Sequence, residues 1–341
     1  MFARKGAEKG LAMAAVDLIE VWRGDLAECV HRGHVVVAGA DGGIVQAWGD
    51  PGAVFYPRSA FKMIQALPLI ESGAADAVGL RVDQLALACA SHQAAAIHTD
   101  RVQAWLAALG LTDDDLRCGP QTPNDVPARD QMIKTDKSPC QYHNNCSGKH
   151  SGFLTLNRHL GGGAEYIDID HPVQKAVFAA FEETTGEDSP GYGIDGCSAP
   201  SHATSVLGLA RAMAQFATAR DRSDTRSLAQ TRLVDAMTTY PELVSGEGEA
   251  CTELMRACGD RVAIKGGADG AYVAILPDLR LGVALKIVDG SQRAKEAAIA
   301  AVLIKLGVLD AAHPAAKRRV NTVMRNWRGI AVGTVRAPAI A

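Results

Sequence analysis

Segments with the pattern of β-strands occur only near the two ends of this 341-residue chain, and this distribution restricts the fold more than any other feature. Near the N-terminus, short apolar runs flank an Asp-Gly-Gly turn, and similar runs return near the C-terminus. These segments are residues 18–22, 34–38, 44–48, 261–265, 271–276 and 281–288. Because strands must pair to satisfy their backbone groups, one antiparallel sheet built from both chain ends is the economical arrangement.

Between these ends the sequence has the periodicity of helices. The predicted helices are residues 59–72, 99–109, 151–160, 173–185, 202–218 and 227–239, with a last helix at 293–306. Residues 116–145 are rich in Pro, Asn and Asp and are predicted to form a long connection. We therefore predict an α/β (α+β) fold in which residues 15–57 and 259–335 form a discontinuous sheet domain and residues 58–258 form an inserted, mainly helical domain. The cleft between the two domains is the natural place for a pocket.

The composition is that of a soluble globular protein, with 48% apolar and 21% charged residues. A formal net charge of −3 provides no basic field for nucleic acid, and no apolar stretch is long enough to span a membrane. The apolar run at residues 11–16 is too short for a signal sequence, and the eight cysteines have no disulfide-scaffold spacing. We therefore expect a cytoplasmic protein with a small-molecule partner.

A serine precedes a lysine by three positions in the segment Tyr56-Pro57-Arg58-Ser59-Ala60-Phe61-Lys62. On a helix these positions share a face, so the Ser59 hydroxyl and the Lys62 amine can point into one cavity. Serine needs a base to take its proton, and lysine can serve when burial or a nearby cation keeps its amine neutral. The motif alone favours the plainer interpretation, a helix cap followed by a surface lysine.

Two later motifs extend this pattern. Ser91-His92-Gln93 follows an apolar run, and Lys265-Gly266-Gly267 leads into a predicted strand. A Ser-x-x-Lys motif, a Ser-x-Asn-like triplet and a Lys-x-Gly motif, in this order, resemble the motifs of serine β-lactamases and penicillin-binding proteins. The order of the motifs favours a catalytic role for Ser59.

Longer blocks resemble the asparaginase II family, the rhizobial-type L-asparaginases. These blocks are residues 56–62, 89–92, 118–121, 144–150, 193–200 and 265–270, and the resemblance extends from about residue 21 to residue 329. It implies a serine β-lactamase-like fold, hydrolysis of L-asparagine to L-aspartate and ammonia, and a tendency to form homodimers.

The resemblance also implies two serine–lysine pairs, Ser59 with Lys62 and Ser91 with Lys265. Two ammonium groups close together in a desolvated pocket repel, so at least one amine should be neutral near physiological pH. We expect Ser59 to be the nucleophile and Lys62 its base, while Ser91 and Lys265 relay protons and hold the water. The opposite division of labour between the two pairs stays open.

The family blocks further imply one zinc ion per chain, held by Cys146, Lys149 and Cys197. Thiolates suit zinc, but a lysine ligand is unusual because its amine must lose a proton. Without the resemblance, both cysteines would be interpreted as buried free thiols.

Arg58, His92 and Asp195 are the expected substrate-binding residues. Asp195 is suited to an α-ammonium group, and Arg58 to a carboxylate or to a structural ion pair. The leading hypothesis is an L-asparagine amidohydrolase that works through an acyl-enzyme. The alternatives are a β-lactamase-like or peptidase-like serine acyl hydrolase, which the missing export signal disfavours, and a non-catalytic ligand sensor that uses the same cleft.

Overall fold

The computed structural model describes residues 14–259 and 261–340 of the chain. The apolar run at 11–16, which is too short for a signal sequence, begins outside these residues. Within the described part of the chain, no helix is long and apolar enough to cross a membrane.

The strands of the described residues belong to one large sheet and two small ones. In chain order they are β1 (Val16–Arg23), β2 (Leu26–Ala38), β3 (Ile44–Trp48), β4 (Val54–Phe55), β5 (Tyr192–Ile194), β6 (Pro200–His202), β7 (Thr204–Ser205), β8 (Ala263–Gly266), β9 (Ala271–Leu276), β10 (Leu281–Ile287), β11 (Thr322–Arg325) and β12 (Ala331–Arg336).

The helices lie mostly between these two groups of strands. The α-helices are α1 (Lys62–Gln65), α2 (Leu67–Glu71), α3 (Ala74–Ala77), α4 (Val82–Ala88), α5 (Ala96–Ala108), α6 (Val126–Lys134), α7 (Ser147–Leu160), α8 (Pro172–Thr185), α9 (Val206–Ala217), α10 (Thr225–Thr239), α11 (Pro241–Val244), α12 (Ala250–Ala257), α13 (Gln292–Lys305) and α14 (Pro314–Lys317). Short 3-10 helices are Arg58–Phe61, Asp113–Asp115, Gln141–His143, Ala219–Asp221 and Pro277–Leu279.

The large sheet has the strand order β11-β12-β1-β2-β10-β9-β8, and β3 also pairs with β2. Strand β2 from the N-terminal region pairs antiparallel with β10 from the C-terminal region, where Val36 lies opposite Ala284. The predicted fold, an antiparallel sheet built from both chain ends with helices inserted between them, is therefore confirmed. Every strand of this sheet lies outside residues 58–258, although the exact domain boundaries stay a prediction.

Two helices pack closely on this sheet. Helix α9 contacts β2, β9 and β10, and α13 contacts β1, β9 and β10. The approach of α9 depends on Gly282, because a Cβ atom there would lie 2.1 Å from the backbone nitrogen of Ala214. The core therefore continues from the sheet into both helices and includes β9, the strand that pairs with β8, where Lys265 lies.

Several local predictions were wrong. The helix predicted at 59–72 is a 3-10 turn followed by the short helices α1 and α2, and the proline at position 68 lies in the first turn of α2. The long connection at 116–145 contains α6, whose first turn is capped by the Asp125 side chain. Two small sheets were also not predicted, β5–β6 within the helical middle and β4–β7 at its edge, because their strands are too short to show an alternating pattern.

Candidate active site

Ser59 lies in the 3-10 turn that begins with Arg58, where the chain leaves the sheet region. Arg58 has a φ of 54°, a left-handed conformation that is costly for a residue with a Cβ atom. Its guanidinium holds this conformation through two ion pairs, with Asp195 at 2.8 Å from Nε to Oδ1 and with Asp269. Arg58 and Asp195, both expected at the substrate, are thus paired with each other.

The Lys-Gly-Gly motif brings the end of β8 against the Ser59 turn. A Cβ atom at Gly267 would lie 2.4 Å from the carbonyl oxygen of Pro57, so only glycine permits this approach. Lys265, two positions earlier, is thereby placed beside the residues that follow α4.

Ser91 is the meeting point of two buried lysines. Its hydroxyl oxygen is 3.0 Å from the amine of Lys62 and 2.9 Å from the amine of Lys265. Both lysine side chains are only 1% exposed. The Lys62 amine also donates to the carbonyl of Ala90 and lies 3.0 Å from the Cys146 sulfur. Lys62, Ser91 and Lys265, three of the four residues of the predicted serine–lysine pairs, are therefore one connected group.

The surroundings of Lys265 favour its neutral form. Burial lowers the pKa of Lys265 to about 7, and the charge of Lys62 acts in the same direction, against the opposing influence of Cys251. The physical reason is that a low-dielectric site without a carboxylate partner penalises the ammonium form. A substantial fraction of Lys265 is thus deprotonated near neutral pH, as expected for one of two neighbouring amines.

Ser59 differs from Ser91 in its contacts. Within the described residues, the Ser59 hydroxyl makes no hydrogen bond, and Lys62 contacts Ser91 in place of Ser59. Ser59 nevertheless lines two adjoining cavities, of about 220 Å³ and about 490 Å³, and it shares this position with Asn145 and Ala268. A small molecule in either cavity can therefore reach its hydroxyl.

The two cavities have different walls. The smaller one is lined on its polar side by Ser59, Ser91, Lys265, Glu249, Lys295 and Glu296. The larger one is lined in part by Arg58, Asn144, Cys146, Asp195, Cys197 and Ser198. Cys251 also borders the smaller cavity and contacts the Tyr272 hydroxyl at 3.1 Å.

His92 lies behind these walls and lines neither of the two cavities. Its Nε2 atom is 2.9 Å from the Ser147 hydroxyl, its Nδ1 accepts from the backbone N–H of Ala94, and its ring stacks on His98 at 4.9 Å. Burial, followed by the neighbouring His98, lowers the pKa of His92 well below its usual value. A neutral His92 fixes the segment that carries Ser91, and the predicted substrate contact has no counterpart in this packing.

Of the three residues of the implied zinc site, Cys146 and Cys197 line the larger cavity, and Lys149 contacts Cys197 from behind this wall. The Lys149 amine is 3.0 Å from the Cys197 sulfur. The neighbouring Cys146 thiol, together with Lys149, holds the pKa of Cys197 well below its usual value against the effect of burial. Burial disfavours the charged Lys149, but the two cysteines outweigh it and raise the pKa of Lys149.

Two sulfur donors and one amine are a donor set that zinc can use, provided that the metal displaces the Lys149 proton. Across residues 14–259 and 261–340, no three His, Cys, Asp or Glu side chains converge in a way that could hold a metal ion. A zinc ion at this position would therefore depend on Lys149.

A serine hydroxyl contacted by two buried lysines beside an antiparallel sheet is an arrangement that serine hydrolases use for nucleophilic catalysis. The chain matches the model of the L-asparaginase II family over residues 19–337, nearly its whole length. It belongs to this family, and we regard it as a hydrolase.

No curated protein matches the chain. Among solved structures, it is similar to a β-lactamase from Mycobacterium bovis, at 16% identity over 80% of this chain and 94% of that one, with a TM-score of 0.45. A protein called Mglu, solved in its native form with 4.3 M NaCl, has 14% identity over 78% of this chain and 59% of that one, with a TM-score of 0.44. A protein described as a β-lactamase from Bacteroides dorei has 14% identity over 75% and 84%, with a TM-score of 0.42. The family assignment rests on the sequence match and not on these similarities.

Proposed function

We propose that this protein is an L-asparaginase, which hydrolyses the side-chain amide of L-asparagine through an acyl-enzyme. Membership of the L-asparaginase II family supports the substrate. The observation that carries the chemistry is the Ser91 hydroxyl within hydrogen-bond distance of both Lys62 and Lys265, in the same cavity wall as Ser59.

In the proposed reaction, the Ser59 oxygen attacks the amide carbon of the substrate and its proton passes to Lys62. The bond to nitrogen then breaks, ammonia leaves with a proton returned by the lysine group, and water hydrolyses the β-aspartyl ester. Ser91 can both donate and accept a hydrogen bond, so it connects Lys62 with Lys265. The contact between Lys62 and Ser59 must form when substrate binds, as catalytic hydrogen bonds often tighten only in the substrate complex.

Ser91 is the second candidate for the nucleophile. Both amines contact its hydroxyl, whereas the Ser59 hydroxyl makes no hydrogen bond within the described residues. We prefer Ser59 because it borders both cavities and its oxygen is not already engaged by two donors. The choice between the two serines does not alter the proposed overall reaction.

Zinc is a further part of this proposal. Cys146, Lys149 and Cys197 would hold the ion, which would place positive charge beside the larger cavity and tune substrate affinity. Arg58 and Asp195 would act by fixing the Ser59 turn, since their charges are already paired. The homodimer implied by the resemblance stays a prediction.

Ammonia release from L-asparagine, measured beside cleavage of a chromogenic β-lactam, tests the proposal against its alternatives. We expect ammonia release and no lactam cleavage. Cleavage of the lactam alone would indicate a β-lactamase-like acyl hydrolase. Binding of asparagine without turnover of either compound would indicate a ligand sensor.

A further inference from the structure

Besides Lys265, the smaller cavity contains two ionisable side chains that have no ion-pair partner among the described residues. They are Glu249 and Lys295, which line the same cavity of about 220 Å³ as Ser59 and Ser91. The other acidic residue of this wall, Glu296, is bonded to Gln292 and lies 3.6 Å from Arg319. Glu249 and Lys295 also form no ion pair with each other, so the cavity presents two separate and opposite charges.

Glu249 stands immediately before helix α12, at the position of a helix cap, but its side chain makes no capping hydrogen bond. Its carboxylate forms no hydrogen bond or ion pair within the described part of the chain. Burial, followed by the neighbouring Glu296, raises the pKa of Glu249. Among the described residues, the Glu249 carboxylate has no cationic partner, and a cationic group of a ligand in the cavity can supply one.

Lys295 lies in the first turn of α13 and is 6% exposed. Its amine donates to the carbonyl of Gly267 and lies 5.9 Å from the centre of the Tyr272 ring. An ammonium group has three donors, so this contact leaves hydrogen-bonding capacity for a ligand. A buried ammonium without a carboxylate partner favours an anion in the adjoining cavity.

The charged pair expected from the sequence to hold an amino acid is already occupied. Arg58 is bonded to Asp195 and to Asp269, so its charge and that of Asp195 compensate each other. An amino-acid zwitterion placed there would have to break these ion pairs, whereas at Glu249 and Lys295 it would supply the missing partners.

We propose that Glu249 binds the α-ammonium group of the substrate and Lys295 its α-carboxylate, a subsite that selects a free amino acid and rests on the proposed function. This subsite anchors the substrate by its two charges and directs its side-chain amide towards the serines of the same cavity wall. Specificity then follows from the fixed separation between the charged pair and the nucleophile. A substrate with a longer side chain, or one that lacks a charged group, loses a contact either with the charged pair or with the nucleophile.

Three substrates separate the contributions of the two charged groups of the substrate. They are L-asparagine, succinamic acid, which lacks the ammonium group, and 3-aminopropanamide, which lacks the carboxylate. The variants are Glu249→Gln and Lys295→Gln, with Glu247→Gln as control, because Glu247 is exposed and paired with Arg256. Loss of a charge-assisted hydrogen bond should lower kcat/KM by roughly 10- to 100-fold.

We expect Glu249→Gln to lower kcat/KM for L-asparagine and 3-aminopropanamide but not for succinamic acid. Lys295→Gln should lower it for L-asparagine and succinamic acid but not for 3-aminopropanamide, and the control should match wild type. Equal losses on all three substrates, or none, would overturn the assignment. If Lys295→Gln does not fold, the Glu249→Gln variant alone tests the assignment. Calorimetry then compares the binding of L-aspartate with that of succinate, which lacks the ammonium group. Failure of the proposed function would instead appear in the wild type, as no hydrolysis of any amide.

Discussion

The amine of Lys265 lies 2.9 Å from the hydroxyl of Ser91, although 174 positions separate these residues in the chain. Lys265 belongs to strand β8 of the large sheet, and Ser91 follows helix α4 in the helical part. The contact therefore joins the two parts of the fold at the candidate site. Burial of an amine without a carboxylate is unfavourable for folding, and such residues concentrate at functional sites.

Activity should depend on the deprotonated form of Lys265. Because its pKa is lowered to about 7, the neutral amine predominates above that pH and disappears below it. We expect kcat/KM to rise with pH through about 7 and to fall roughly tenfold per unit below it. Lys265→Met should remove this dependence together with most of the activity, whereas Lys175→Met, on the exposed side of α8, should leave the profile unchanged. A flat wild-type profile between pH 5.5 and 8.5, a window of roughly 3 units around this pKa, would contradict the role of Lys265 in the proton relay.

Arg58 is expected to act by positioning Ser59. Arg58→Ala and Arg58→Gly both remove the ion pairs with Asp195 and Asp269, so both should lower kcat by roughly 10- to 100-fold while KM changes less. The two variants should differ in stability, because glycine accepts the φ of 54° without strain and alanine does not. We expect the glycine variant to be more stable by about 1 kcal/mol in denaturant unfolding. A large increase in KM with kcat unchanged would show that Arg58 binds substrate instead.

The zinc proposal predicts about one equivalent of metal in the purified protein, the stoichiometry of a three-residue site. Cys197→Ser should lower this content sharply, and so should acidification, because the thiols and Lys149 must lose protons to bind the ion. Cys258→Ser is the matched control, since Cys258 is also buried but lines neither of the two cavities. Equal zinc content in the wild type, Cys197→Ser and Cys258→Ser would show that zinc does not bind at this position.

The sequence was sufficient to predict the central strands of the large sheet, because these strands are long enough for their apolar pattern to be recognised. Strands β9 and β3 begin and end where the sequence placed them. Strands β11 and β12 were not predicted, because much of β11 is exposed and carries mixed polar and apolar residues. The Ser59 segment was predicted as one helix because apolar residues surround it, but a proline at position 68 separates α1 from α2.

For the site, the motifs and their spacing along the chain predicted which residues lie close together, but not which of their atoms are in contact. Ser59 and Lys62 are three positions apart at a junction between 3-10 and α-helix, and the Lys62 amine contacts Ser91 instead of Ser59. Glu249 and Lys295 were not predicted as ligand-binding residues, since they lie at the starts of two different helices that are far apart in the chain. Their common role depends on the cavity that both line.

The central claim is that Ser59 carries the acyl group, and a rapid acid quench during turnover of L-asparagine tests it most directly. Peptide mapping by mass spectrometry should find one aspartyl group attached to the peptide that contains Ser59. Ser59→Ala should remain folded, lose turnover by roughly several powers of ten and show no adduct, because nucleophile and base act as a unit. An aspartyl group on the Ser91 peptide, or comparable turnover by folded Ser59→Ala, would contradict the account and assign the nucleophile to Ser91.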